Sequence, residues 1–183
     1  MNWKNTADRY GLISIGFHWI MFLLLVAVYA CIELRVFYPK GSDPRDALKT
    51  WHFMLGLSVF VLVWIRLLVR VGQATPKSLF AERSWQFFAA KWTHIALYLL
   101  MISMPLMGWL ILSGEGKPVP FYGVTLPALM AENRDLAKLI EEVHETVGTL
   151  GYVLIALHTL AALFHHYFLK DKTLLRMLPR RKS

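Results

Sequence analysis

Four long apolar stretches divide this chain of 183 residues, with short polar connections between them. A helix needs about 20 apolar residues to cross the ~30 Å hydrocarbon core of a bilayer. Each stretch is long enough, and the predicted transmembrane helices cover residues 12–34, 52–71, 90–113 and 146–168. The first stretch exceeds the roughly 15 apolar residues of a signal peptide, so we expect it to be retained.

The connections contain no linker, internal repeat or second hydrophobic block. We therefore predict one domain over residues 1–183, an all-α membrane protein folded as a bundle of four transmembrane helices. The third connection is rich in proline and glycine at first and is predicted to become helical from about Arg134. Pro105 lies inside the third stretch, where we expect it to kink the helix.

Composition agrees with a membrane protein. Hydrophobic residues make up 56% of the chain and charged residues 17%, and the mean hydropathy is +0.45. Soluble domains carry about 25% charged residues, and a soluble domain of this size leaves much of its surface in water. These values exclude an ordinary soluble domain and a disordered chain.

The net charge of +8 predicts the orientation in the membrane. Of the 20 basic residues, thirteen lie at the N-terminus, in and beside the second connection, and in the tail. The other seven lie in the first and third connections. By the positive-inside rule, both termini are predicted to be cytoplasmic. The charges fall between apolar blocks rather than on one face, so we expect no binding of nucleic acid.

The single cysteine, Cys31, limits the cofactor chemistry. One thiol excludes a disulfide framework, a cysteine-ligated iron–sulfur cluster and a covalent haem attachment motif. Any haem in this chain must therefore be held non-covalently.

Histidine is the residue type that points to function. All seven histidines lie in or beside the predicted spans, where ionisable side chains usually have a functional role. His144 and His158 are 14 residues apart, so they return to nearly the same helix face with a rise of about 21 Å. His18 matches the cytoplasmic depth of His158, and His52 matches the outer depth of His144. Two such pairs on facing helices meet the requirement for bis-histidine ligation of two haems.

Nearby residues fit this interpretation and also admit a structural one. Gly56 and Gly148 each follow a paired histidine by one turn, and Gly151 lies midway along the fourth helix. These glycines let either a flat macrocycle or a neighbouring helix approach closely. Arg66 follows His52 by 14 residues, so it is predicted to contact a propionate of the inner haem or to snorkel to the surface. His94 has a similar depth and could replace His18 or His158 as a ligand.

The chain resembles the bacterial cytochrome b561 family over essentially its whole length, and especially its short four-helix, di-haem members described as superoxide oxidases. The residues that carry the resemblance are His18-Trp19, Trp51-His52, His144-Glu145-Thr146, Gly151-Tyr152, Leu157-His158, His165-His166-Tyr167, Lys170-Asp171, Leu174-Leu175-Arg176-Met177 and Pro179. The resemblance implies two non-covalent b haems, with His18 and His158 as the axial ligands of the inner one and His52 and His144 as those of the outer one. It also implies a multi-pass protein of the bacterial inner membrane.

The activity that the resemblance implies is electron transfer from periplasmic superoxide, through the two haems, to ubiquinone on the cytoplasmic side. A bis-histidine iron has no open position, so superoxide would react at the haem edge. Basic residues of the first connection are candidates for attracting this anion. They are Arg35, Lys40, Arg45 and Lys49, and each is also explained as an ordinary loop charge.

Reduction of a quinone consumes protons, so its site needs titratable groups near the inner haem. His165 lies seven residues beyond His158 towards the cytoplasm and is the first candidate, followed by Ser14 and then His94. No catalytic residue is assigned, and beyond membrane lipid no partner is identified. The alternatives are an electron-transfer subunit of a larger membrane dehydrogenase or hydrogenase, and a haem-free transporter lined with histidine.

Overall fold

The computed structural model describes residues 2–79 and 84–179. Its long helices are α1 (Leu12–Leu34), α2 (Asp43–Val71), α3 (Trp85–Gly114) and α4 (Arg134–Tyr167). Each is long and apolar enough to cross a membrane, which confirms the four predicted spans. Four of the basic residues used to predict the orientation, namely Arg83, Arg180, Arg181 and Lys182, lie outside the described residues.

The helices continue beyond the predicted spans. The bounds of α1 are those predicted, and α4 begins at Arg134, where the third connection was predicted to become helical. Helix α2, however, begins at Asp43 rather than at residue 52. An apolar count detects only the part inside the bilayer, whereas local capping extends a helix through polar turns. The Asn133 side chain, for example, accepts a hydrogen bond from the backbone N–H of Leu136 at the start of α4. At 34 residues, α4 is roughly 51 Å long, more than the membrane thickness requires.

Helix α3 runs through Pro105 without interruption. The proline therefore does not end the helix, and the predicted kink stays a prediction. At its beginning, the Ser84 hydroxyl accepts a hydrogen bond from the backbone N–H of Phe87. Past its end, the chain enters the third connection through Gly116, whose φ of +70° is a conformation that favours glycine.

A small β-hairpin in the third connection was not predicted. Strands β1 (Val119–Phe121) and β2 (Val124–Leu126) pair antiparallel through the two-residue turn Tyr122-Gly123. Both turn residues have positive φ, 46° and 89°, as a type I′ hairpin turn requires. The Tyr122 hydroxyl lies 3.0 Å from the Ser58 hydroxyl, so the hairpin rests against α2.

The helices pack as two pairs, α1 along α2 and α3 along α4, and α2 also packs on α3. Met21, Val59, Val63 and Met101 form the main buried cluster. The backbones of α1 and α4, by contrast, hardly approach each other. Of the histidines described below, His18 and His158 face each other across this open seam of the bundle.

Two tyrosines bridge α1 and α4 near the C-terminal end of α1. The Tyr29 hydroxyl donates a hydrogen bond to the backbone carbonyl of Gly148 (2.9 Å), and its ring lies 4.3 Å from that of Tyr152. The Tyr152 hydroxyl in turn donates to the Glu33 carboxylate (2.7 Å). Gly151 is buried directly beneath the Tyr29 hydroxyl, where an added Cβ would collide with it.

Candidate functional site

The outer pair of histidines consists of His52 on α2 and His144 on α4. Their ring centroids are 6.3 Å apart, and the ring planes are inclined by 77°. His52 Nδ1 lies 3.0 Å from the backbone carbonyl of Val28. Because a carbonyl only accepts, Nδ1 carries the proton and Nε2 has its lone pair available for a metal. Metal-ligating histidines commonly have this arrangement, in which the second ring nitrogen donates to a carbonyl.

The inner pair consists of His18 on α1 and His158 on α4. Their centroids are 6.2 Å apart with an interplanar angle of 60°. His94 on α3 is also close, with its centroid 5.3 Å from that of His158. Its Nδ1 lies 2.6 Å from the backbone carbonyl of Ala90, to which it donates. Three histidines from three helices therefore meet at the inner level.

The two spacings test whether these residues fit an iron held between two imidazoles. With a metal–nitrogen distance of about 2 Å and each ring nitrogen about 1.2 Å from its centroid, opposed ligands have centroids roughly 6.4 Å apart. The His52–His144 and His18–His158 pairs match this value. The His94–His158 pair, at 5.3 Å, is too close for axial ligands on opposite sides of one iron. The residues therefore fit two bis-histidine haems, with His94 beside the inner pair.

The glycines near the outer pair have different surroundings. A Cβ added to Gly56 would meet no atom within 4 Å, so space lies in front of this position one turn beyond His52. A Cβ on Gly148 would lie 3.3 Å from the Met104 methyl group, so that glycine serves close helix packing. The sequence left both explanations open for both glycines. The open space at Gly56 is consistent with the close approach of a macrocycle, whereas the contact at Gly148 is consistent with close packing between two helices.

Arg66 lies at the inner level, as its 14-residue spacing from His52 predicts. Its Nη2 donates to His18 Nδ1 at 3.3 Å, and its guanidinium lies 5.6 Å from the centre of the Tyr98 ring. Arg70 lies at the same distance from that ring. Two positive charges thus flank the inner histidines from α2, where they are placed to meet an anionic group.

The basic residues of the first connection are not equivalent. Arg45 Nη1 donates to the backbone carbonyls of Arg35 (3.0 Å) and Tyr38 (2.9 Å), and so holds the turn after α1. The Lys49 side chain is 40% exposed and forms a loose ion pair with Asp46, 3.8 Å away. Lys40 is exposed, with no ion pair within the described residues. Arg35 is half-buried, and its Nε has no hydrogen-bond partner within the described residues. The two lysines are therefore the more accessible of the four cations.

The three quinone-site candidates lie near the inner pair, and each has a polar partner. His165 Nδ1 lies 2.6 Å from the Asp171 carboxylate. The Ser14 hydroxyl donates to the Asn5 side-chain carbonyl at 2.8 Å. Because the Ser14 hydroxyl proton is used in that bond, the hydroxyl could only accept a hydrogen bond from a bound quinol. It could donate to a quinone only after rotation about its C–O bond. His165 is the candidate best arranged to donate.

Two candidate functional residues, Asp171 and Asn5, were not predicted from the sequence. Asp171 belongs to a motif on which the family resemblance is based, but the sequence does not indicate its contact with His165. The two residues are six positions apart, on either side of the end of α4. Asn5, in the N-terminal segment, accepts from Gly11 N–H and Ser14 and donates to the carbonyl of Ala74. No periodic pattern marks either residue, because both lie outside the helices. Only the path of the terminal segments brings them to the inner site.

Comparison with known proteins identifies the family. The sequence profile of the prokaryotic cytochrome b561 family matches residues 9–180. Cytochrome b561 homolog 1 of Escherichia coli K12 is 39% identical over 175 residues, which cover 96% of this chain and 99% of the relative. Probable superoxide oxidase CybB of Yersinia pestis is 36% identical over 175 residues, covering 96% and 98%. Cytochrome b561 homolog 2 of E. coli K12 is 31% identical over 184 residues, covering 100% and 98%.

The match spans all four helices and both levels of paired histidines. It agrees with the resemblance stated from the sequence motifs. This chain belongs to the prokaryotic cytochrome b561 family, whose members are bacterial membrane proteins that transfer electrons with b-type haem.

Proposed function

We propose that this protein is a di-haem cytochrome b of the inner membrane that oxidises periplasmic superoxide and reduces ubiquinone at the cytoplasmic side. The observation that carries the proposal is the presence of two histidine pairs at different depths, each with the spacing of axial ligands. The relative named probable superoxide oxidase, at 36% identity over nearly the whole chain, supports the choice of substrate.

His18 and His158 hold the inner haem in this proposal, and His52 and His144 hold the outer one. When bound, each haem supplies a one-electron redox centre with both axial positions filled. His52 is already in the required tautomer, because its Nδ1 proton is donated to the Val28 carbonyl. The pairs are separated by about 21 Å along α4, so together they span much of the membrane.

Arg66 binds a propionate of the inner haem. If His18 ligates through Nε2, its Nδ1 carries a proton and no longer accepts from Arg66. The guanidinium then needs another acceptor, and a carboxylate is the natural one. A propionate there would also neutralise the half-buried charge of Arg66.

The two sides of the protein perform complementary half-reactions. Two superoxide anions each lose one electron and become O2, while ubiquinone gains two electrons and two protons and becomes ubiquinol. Outside, Lys40 and Lys49, with Arg35 and Arg45 of the same connection, raise the local concentration of the anion. Inside, His165 donates protons, with Ser14 and His94 as further contacts of the quinone.

The test uses the purified holoprotein in detergent, supplied with a steady source of superoxide and a short-chain ubiquinone. We expect a b-type absorbance spectrum, reduction of the haems by superoxide, and quinol formation well above the rate without protein. His52→Ala, which removes an outer ligand, is expected to abolish the enzymatic rate. Leu139→Ala is the matched control, since this exposed side chain lies away from both pairs and its loss leaves the rate unchanged.

Each contrary result identifies one alternative. Absence of a b-type spectrum would exclude the haem proteins and favour the histidine-lined transporter. An intact di-haem protein that superoxide does not reduce, and that co-purifies with a large soluble protein, would favour the electron-transfer subunit of a dehydrogenase or hydrogenase.

A further inference from the structure

His165 and Asp171 form a closed polar unit where α4 ends. The 2.6 Å contact joins His165 Nδ1 to Asp171 Oδ2. The second carboxylate oxygen accepts from the backbone N–H of Thr173 at 2.8 Å. The backbone N–H of Asp171 itself donates to the carbonyl of His165 at 3.1 Å. Both ends of the carboxylate are thus fixed, and the chain folds back so that Asp171 faces His165.

The environment keeps Asp171 ionised. Partial burial would raise the pKa of this carboxyl group, but the hydrogen bonds from Thr173 and the contact with His165 outweigh burial and lower the pKa below its usual value. A carboxylate accepts and cannot donate, so the proton in this contact belongs to His165 Nδ1. His165 therefore has a defined tautomer, with Nε2 as the nitrogen that exchanges protons.

The segment that carries Asp171 is attached to three other parts of the protein. Arg9 donates to the carbonyls of Leu175 (3.1 Å) and Leu178 (2.8 Å). Trp19, next to the proposed ligand His18, donates to the carbonyl of Met177 at 2.8 Å. Arg176 donates to the carbonyl of Lys77 at 2.7 Å in the connection after α2. These bonds hold Asp171 in place beside the inner site.

We propose that Asp171 is the positioning residue for quinone protonation, because it orients His165 so that Nε2 delivers a proton to a quinone oxygen. The inference rests on the proposed function and adds to it the second member of a proton-donating dyad. For each of the two protons, Nε2 of His165 first takes up a proton from water, which gives an imidazolium, and then passes it to the reduced quinone, so that His165 returns to its Nδ1–H tautomer. The Asp171 carboxylate stays ionised throughout and stabilises the transient imidazolium, as in other carboxylate–histidine dyads.

Asp171 is the more exposed member of the dyad. Its side chain is 26% exposed, and that of His165 is 14% exposed. The carboxylate is therefore the more accessible of the two groups to solvent.

The test compares Asp171→Asn with Asp171→Glu in the purified holoprotein. For Asp171→Asn we expect kcat for quinol formation to fall about tenfold or more, with little change in the KM for quinone. Reduction of the haems by superoxide without quinone should be unchanged, as should the haem content. Asp171→Glu keeps the charge and should restore part of kcat. Asp135→Asn, at the opposite end of α4, is the matched control and should behave as the wild type.

A second measurement uses the wild-type protein, so it does not depend on whether a variant folds. In ¹⁵N-histidine NMR spectra of the wild-type holoprotein, His165 should carry its proton on Nδ1 in a strong hydrogen bond. A wild-type rate in Asp171→Asn, or a His165 without a proton on Nδ1, would overturn the role of Asp171. Failure of the wild type to reduce quinone with superoxide would instead overturn the proposed function. The NMR spectrum would still report the position of the His165 proton independently of that activity.

Discussion

At the scale of single residues, the spacing of the inner histidines distinguishes between the candidate ligands of the proposed inner haem. His18 and His94 both lie within ring-contact distance of His158, at 6.2 Å and 5.3 Å. One iron between two imidazoles needs roughly 6.4 Å, so the spacing favours His18 as the proposed ligand. His94 lies at the same depth, but its Nδ1 donates a hydrogen bond to the backbone carbonyl of Ala90 in its own helix.

Counting haems in variants tests this choice. We expect His18→Ala and His158→Ala each to reduce the haem content from two per chain to one, because each removes an axial ligand of the inner haem. His94→Ala should retain both haems, since it removes no ligand. The measurement is the ratio of extracted haem to protein. Loss of a haem in His94→Ala, with retention in His18→Ala, would reverse the assignment of the inner ligand.

Gly151 gives a second prediction at this scale. A Cβ at Gly151 would collide with the Tyr29 hydroxyl and approach the Leu100 methyl groups to 3.3 Å. Gly151→Ala should therefore lower the free energy of unfolding by about 1–3 kcal/mol. Removing the hydroxyl by adding Tyr29→Phe should recover part of that loss, which a double-mutant cycle of thermal unfolding measures. Gly16→Ala is the control, because its Cβ would meet nothing within 4 Å.

The sequence predicts residues best where helical periodicity governs their position. The 14-residue interval between His144 and His158 required only a regular helix, and the structure places both beside the expected partners. Asp171 depends instead on how the chain turns after α4, which no period encodes. The carbonyl bonds of Arg45 are similar, because they depend on a turn between two helices.

At the scale of elements, the region between α1 and the first turns of α2 contains one cation with a structural role and two without such a role. Arg45 ties the 3₁₀ helix Arg35–Phe37 to the first turns of α2 through two backbone carbonyls. Lys40 lies between the two helices and Lys49 lies near the start of α2, and neither makes such a bond within the described residues. The proposed function therefore gives charge in this region two separable effects, one on folding and one on the approach of an anion.

Variants in this connection should separate the two effects. Lys40→Gln with Lys49→Gln is expected to lower the rate of haem reduction by superoxide at low salt and to flatten its dependence on ionic strength. The melting temperature should stay as in the wild type. Arg45→Gln should lower the melting temperature, because two carbonyls lose their donor. An unchanged salt dependence in the double variant would show that these lysines do not attract the anion.

An element could be predicted from the sequence when it contains a long apolar stretch. All four helices follow from apolar length alone, but the β-hairpin has strands of three residues that no alternation reveals. Its turn, Tyr122-Gly123, lacks the Asn or Asp that often precedes glycine in such turns. The polar first turns of α2 were missed for a related reason, since Asp43 and Arg45 do not belong to an apolar stretch.

At the scale of the whole molecule, the bundle has a closed side and an open seam. The α1–α2, α2–α3 and α3–α4 interfaces are packed by side chains, whereas α1 and α4 meet through Tyr29, Tyr152 and the His18–His158 pair. Both histidine pairs contribute one residue from α4 and one from the α1–α2 half. Binding of haem at either level would therefore join the two halves of the bundle and should stabilise the whole fold.

The orientation of this bundle decides which half-reaction occurs on which side. The excess of Lys and Arg at the termini and around the second connection predicts that both termini are cytoplasmic. A fluorescent protein fused after Ser183 should therefore fluoresce, and alkaline phosphatase, which is active only outside, should be inactive there. Phosphatase inserted after Gly116 should be active. The opposite pattern would place His18, His158 and the His165–Asp171 dyad outside. Superoxide would then meet the level assigned to quinone, and the direction of electron flow proposed above would be wrong even if both haems are present.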